Sequence, residues 1–156
     1  MQNLEIKVKV VNFDSIKDRL GFSKYEKTLE QTDTYFLVGK IQLKIRETET
    51  NAEIISYIRK IENGTMESAY YRINIFGNSL NFIKSIFSFI FGTKVIVIKK
   101  RDLYVYKNTR IHLDTVENLG KFIELETVCQ KDKNNMMDLI KYRREHEEIK
   151  KNFHFF

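Results

Sequence analysis

Apolar and charged residues alternate through most of the chain, and this period of two constrains the fold more than any other feature. From Leu4 to Val10, Ile6, Val8 and Val10 alternate with Glu5, Lys7 and Lys9. Ile41, Leu43 and Ile45 alternate with Gln42, Lys44 and Arg46, and Ile55, Tyr57 and Arg59 share one side of the next segment. Tyr70 to Ile75 carries Arg72, while Lys94 to Arg101 is rich in β-branched residues and ends with Lys99 and Arg101 in phase. A short turn is expected before Leu103 to Lys107. Arg110, His112 and Asp114 then alternate with Ile111 and Leu113, and Phe122, Glu124 and Glu126 with Ile123 and Leu125. Side chains that repeat every second residue lie on one face of a strand. With a short strand at Thr34 to Val38, which could run on to Arg46, about eight strands are expected.

Three helical stretches punctuate the strands. Asp14 to Leu20 is short, with Asp14 or Ser15 as its N-cap candidate. Ser79 to Phe91 places Leu80, Ile83, Phe87 and Ile90 at helical spacing, which suits packing against the outside of the sheet. Asp132 to Phe153 is charge-rich, with Met136, Met137, Leu139 and Ile140 as an apolar patch. With no linker and no internal repeat, one domain over residues 1–156 is expected, its strands within 1–128 and a C-terminal helix over 132–153.

A half-buried strand turns its polar face to water, and for any single strand here that is the simple explanation. Across the chain, however, the charges are unevenly chosen. Lys9, Lys44, Arg46, Arg59, Lys99, Arg101 and Arg110 recur on the polar faces, whereas carboxylates in phase are Glu5, Asp114, Glu124 and Glu126. A barrel that pointed these groups inward would need a wet cavity and an anionic ligand. A triphosphate, with about four negative charges, would neutralise such an excess of cations. A divalent metal would bridge it to the acids.

The net charge of +6 also favours an anionic partner. Nucleic acid is not expected, because no recognised binding motif is present. The chain starts polar, with no apolar run of the signal-peptide kind. Its longest apolar stretch, Leu80 to Phe91, is interrupted by Asn81, Lys84, Ser85 and Ser88 and is too short for a membrane span. A single cysteine, Cys129, excludes a disulfide within the chain, so a reducing, cytoplasmic setting is expected.

Several segments carry a resemblance. Glu5-Ile-Lys-Val-Lys9 resembles the first-strand ExExK signature of the CYTH superfamily, and Gln31-Thr-Asp-Thr-Tyr-Phe36 is similar to the second strand of class IV adenylate cyclases. Leu43-Lys-Ile-Arg46, Ile55-Ser-Tyr-Ile-Arg59 and Val97-Ile-Lys-Lys-Arg101 resemble the basic strands of that family. The most specific match is Arg110-Ile-His-Leu-Asp114, followed by Val116, Leu119-Gly120 and Phe122-Ile-Glu-Leu-Glu126.

The resemblance implies an α+β fold: a closed eight-stranded antiparallel β-barrel, the triphosphate tunnel, with flanking helices. It implies ATP or another triphosphate as substrate and Mg2+ or Mn2+ as cofactor. The implied reaction is conversion of ATP to cyclic AMP and pyrophosphate. Hydrolysis of tripolyphosphate, thiamine triphosphate or a nucleoside triphosphate, and triphosphate binding without turnover, are the alternatives. By the same resemblance Glu5, Glu124 and Glu126 match metal carboxylates, and Lys9, Lys44, Arg46, Arg59, Lys99 and Arg101 match phosphate-gripping cations. Arg110, Asp114 and His112 are the catalytic candidates; His112 could exchange a proton or only position a neighbour. Tyr57, Tyr104 and Tyr106 could stack a base or simply pack. Family members are often dimers, so a homodimer is an open expectation.

Two departures stand out. Lys7 occupies the second glutamate position of ExExK, and an ammonium cannot ligate a metal. The chain also ends Asn152-Phe-His-Phe-Phe156 in place of the family's SYxDL-like segment.

Overall fold

The computed structural model describes residues 2–62, 65–129 and 136–153. In chain order the strands are β1 (Gln2–Val10), β2 (Lys24–Phe36), β3 (Gln42–Glu47), β4 (Ala52–Glu62), β5 (Thr65–Ile75), β6 (Thr93–Tyr106), β7 (Thr109–Val116) and β8 (Gly120–Cys129). The helices are α1 (Asp14–Lys17), α2 (Leu80–Phe91) and α3 (Met136–Lys151), with a short 3-10 turn at Gly77–Ser79. All strand pairs are antiparallel and close into a barrel in the order β1-β5-β4-β3-β2-β6-β7-β8. Among the described residues closure leaves no edge strand.

The apolar core lies on the outside of this barrel. Ile111 and Leu113 of β7 and Ile123 and Leu125 of β8 point outward and are buried beneath Ile16 and Leu20 at α1 and Ile149 and Phe153 at α3. Ile6, Val8 and Val10 of β1 and Tyr104 and Tyr106 of β6 flank the same cluster. The opposite side chains of these strands face the barrel interior, and among them are Lys99, Arg101, Arg110, His112, Glu124 and Glu126. On β2 and β3 the outer face is covered by α2: the Phe87 ring meets Phe36 edge-on at 5.5 Å, and Lys84 pairs with Glu47.

Strand β2 departs most from expectation. It begins at Lys24 rather than Thr34, and it ends at Phe36 before a turn rather than running on to Arg46. Its first half, Lys24 to Glu30, meets water on one side and the tunnel mouth on the other, so it shows no apolar alternation. Strand β6 likewise has no turn after Arg101. Leu103 pairs with Lys27 and His112, which continues both ladders. The turn expected between Arg101 and Leu103 is replaced by continuous strand, in which Asp102 lies opposite Thr28 and accepts its hydroxyl hydrogen bond while Lys99 and Arg101 face the interior. Helix α1 ends at Lys17, and its N-cap is Phe13 rather than Asp14 or Ser15.

The expected helix start at 132 lies outside the described residues, as do the side chains of Met136, Met137 and Leu139. Ile140 is exposed, and α3 is anchored further on by Glu145, His146, Ile149 and Phe153. Among the described residues no helix is long and apolar enough to cross a membrane.

Candidate functional site

The barrel interior encloses a cavity of about 460 Å3, lined by residues from all eight strands. Cross-strand register determines which charges meet. Arg101 pairs directly with Asp114, His112 with Glu124, Arg110 with Glu126, Glu124 with Lys7, and Asp33 with Arg46.

Three polar centres result. In the first, Asp33 is fully buried and accepts from Lys44 Nζ at 2.9 Å and from Arg46 Nε and Nη2 at 2.7 and 2.9 Å, with Lys99 Nζ 3.5 Å away. Burial alone would raise the Asp33 carboxyl, but the Arg46 hydrogen bonds and the surrounding cations outweigh it and hold the pKa far below the usual range. One carboxylate does not satisfy three cations. Burial and the Arg46 charge bring Lys44 down to about 7, and burial and the Arg101 charge bring Lys99 down to about 8.

In the second centre, Arg101 donates to both oxygens of Asp114, at 2.6 and 2.7 Å, and reaches Glu124 at 3.3 Å. Lys7 Nζ lies 2.8 Å from Asp114 Oδ2 and 2.8 Å from Glu124 Oε2. Burial opposes the Lys7 charge, yet Glu124 and Asp114 hold its pKa above the ordinary lysine value. The buried His112 ring has its Nδ1 3.0 Å from Glu124. Burial and the Arg101 charge lower its pKa, so the imidazole is neutral near pH 7.

In the third, the Asn3 amide donates to Glu5 at 3.0 Å and to Glu126 at 2.6 Å. Arg59 pairs with Glu5 and Arg110 with Glu126. Burial and the Glu124 charge raise the pKa of Glu5.

The barrel brings together most of the expected site residues. Lys44, Arg46, Arg59, Lys99, Arg101, Arg110, His112, Glu5, Glu124 and Glu126 all line the cavity, and Asp114 is buried behind Arg101 and Lys7. Lys9 is not brought in: it is exposed beside Gly120, outside the cavity lining. Tyr57 lines the cavity, whereas Tyr104 packs against the outer core. Sequence reasoning missed Asp33, the counter-charge of the first centre. Its phase with Gln31 and Tyr35, which also face inward, was the available signal. It also missed the Glu53–Arg72 pair, which forms across β4 and β5. Asn3 Oδ1, Gln31 Oε1 and Ser68 Oγ are buried at the cavity wall with no partner among the described residues, and such oxygens call for water or ligand in the tunnel.

A closed antiparallel barrel with a charged interior and an apolar shell outside is the architecture of a triphosphate tunnel. The family model described as the CYTH domain matches residues 1–152, and the chain belongs to the CYTH domain family. No curated protein matches it. Among solved structures it is similar to a protein of Pyrococcus horikoshii OT3, at 20% identity over 96% of this chain and 88% of that one, with a TM-score of 0.72. An adenylate cyclase candidate from Vibrio parahaemolyticus is 19% identical over 97% and 88%, with a TM-score of 0.71. A chain of the Schizosaccharomyces pombe Mediator head module is 11% identical over 97% and 94%, with a TM-score of 0.76. At these identities the likeness is one of fold.

Enzymes of this family generally use divalent metal ions. The donors here do not fit one well. Among the described residues no group of three or more His, Cys, Asp or Glu side chains is placed to hold a metal. The Lys7 ammonium sits between Asp114 and Glu124, and the Asn3 amide bridges Glu5 and Glu126.

Proposed function

We propose that the chain binds a linear triphosphate, ATP first among them, along the tunnel and converts it to cyclic AMP and pyrophosphate. The observation that carries this is the first centre, where Lys44, Arg46 and Lys99 crowd a single buried carboxylate. Three cationic side chains outnumber one acid in an enclosed space, and a polyanion is what such a space selects. Tyr35, Tyr57 and Tyr70 on the wall offer aromatic surface to a nucleoside. The Arg110-to-Asp114 and Phe122-to-Glu126 strands, which carry the match to class IV cyclases, form the neighbouring wall.

In this scheme the cations hold the phosphate chain extended and absorb the charge that develops on the leaving pyrophosphate. Neutral His112, oriented by Glu124, is the group able to take the proton from the attacking hydroxyl. Arg110 and Arg101 stand beside it, and Asp114 fixes the Arg101 guanidinium. No step is assigned to Mg2+ or Mn2+, since the chain's own cations hold Glu124 and its neighbours.

Hydrolysis of a triphosphate is the second reading. It is favoured by the concentration of cationic donors in the cavity lining, groups suited to grip phosphate rather than a base. Incubating pure protein with ATP and with tripolyphosphate, with and without Mg2+ or Mn2+, and resolving the products separates the two. Cyclic AMP supports the first reading and orthophosphate alone the second. Absence of binding to either compound overturns both.

A further inference from the structure

We infer that the Lys7 ammonium takes the place of the divalent metal in this tunnel, so that triphosphate binding needs no added metal ion. The inference rests on the triphosphate reading above and concerns the acid end of the same site.

The argument is one of charge and space. Asp114 and Glu124 bring two negative charges, and Lys7 and Arg101, both in contact with both acids, bring two positive ones. The two acids and two cations balance one another, and the His112 ring, with Nδ1 3.0 Å from Glu124, completes the contacts. A divalent ion bound to Glu124 would have to displace the ammonium or share a carboxylate with it, and both are unfavourable for hard, like-charged cations. Replacing Lys7 by glutamate would remove one positive charge and add one negative. The cluster would then carry two excess negative charges, which is the charge one Mg2+ or Mn2+ neutralises.

Lys7 is held for this place. It lies on β1 directly opposite Glu124 of β8, and its ammonium stands 5.4 Å from the Phe122 ring. Two of its three N–H donors go to Asp114 and Glu124, which leaves the third for a phosphate oxygen of a ligand in the cavity it lines.

The test compares wild type with Lys7→Glu, using tripolyphosphate as ligand and Mn2+ as metal probe. Calorimetry is run in EDTA and in Mn2+, and Mn2+ binding to ligand-free protein is read by electron paramagnetic resonance. For wild type, tripolyphosphate affinity in EDTA is expected within about threefold of that in Mn2+, with no Mn2+ held by the ligand-free protein. For Lys7→Glu, affinity in EDTA is expected to fall by at least about tenfold, with Mn2+ restoring it and being bound directly. Wild-type binding that vanishes in EDTA and returns with Mn2+ overturns the inference, as does Mn2+ bound by ligand-free wild type. If wild type binds no tripolyphosphate under any condition, the triphosphate reading fails. The Mn2+ spectra of the two ligand-free proteins then decide the place of Lys7 alone. The wild-type arms stand without the variant, so a misfolded Lys7→Glu protein does not blunt the test.

Discussion

Lys44 Nζ donates to Asp33 at 2.9 Å while Arg46 donates to both oxygens of the same carboxylate, so one buried acid holds two cations of the neighbouring strand. Asp33→Asn keeps the shape and removes the charge. The uncompensated cations should lower stability by about 3 kcal/mol. Tripolyphosphate should then raise the melting temperature more in the variant than in wild type. Thermal melts with and without the ligand check this, and equal shifts would count against an anion at this centre.

Triphosphate binding should be linked to proton uptake. In the free tunnel Lys44 titrates at about 7 and Lys99 at about 8, and bound phosphate would raise both. Affinity should be level below pH 7 and fall as pH rises through 7 to 9, up to about tenfold per unit for each lysine. Calorimetry in buffers of different ionisation enthalpy reads the proton uptake directly.

Arg46 and Lys9 should behave differently, although both belong to basic strands in the sequence. Arg46→Ala removes charged hydrogen-bond donors from the cavity wall and should weaken tripolyphosphate binding by about 10- to 100-fold. Lys9→Ala, outside the cavity lining, should change it by less than about twofold. Isothermal titration of both variants distinguishes a gripping cation from a surface one.

Acid should loosen α3. His146 is buried, with its Nδ1 2.9 Å from the Thr127 hydroxyl, and burial depresses its pKa to about 4. A neutral buried histidine contributes fully above its unfolded pKa near 6.5, and that contribution is lost as pH falls from there towards 4. The slope is about 1.4 kcal/mol per pH unit, up to about 3 kcal/mol in all. Urea denaturation between pH 7 and 4.5 should show this slope in wild type and a flatter one in His146→Gln.

The outer core should bear much of the stability. Phe153 is 1% exposed and packs against the cluster beneath α3, with its ring 6.5 Å from Phe22. Phe153→Ala should cost about 3–5 kcal/mol. Tripolyphosphate affinity of the folded fraction should stay unchanged, because the tunnel wall is not touched.

Strand alternation was legible from the sequence because a pleated strand separates its two faces residue by residue, and Ile111, Leu113, Ile123 and Leu125 mark one apolar face; that it is the outer one was suggested only by the uneven choice of charges and the resemblance. The inward cations and acids could be named from the same phase, together with the resemblance of Arg110 to Asp114 and Phe122 to Glu126. The first half of β2 was not legible, because water meets both its faces and no apolar signal arises. The turn expected between Arg101 and Leu103 misled for a related reason: Asp102 is a charged residue in mid-strand, where its outward side chain still reaches water. Only the tertiary structure decided which charge meets which. Barrel closure and register bring Asp33 to Lys44, Arg46 and Lys99, and Lys7 to Asp114 and Glu124. These are contacts between residues 11 to 117 positions apart, which local periodicity does not encode.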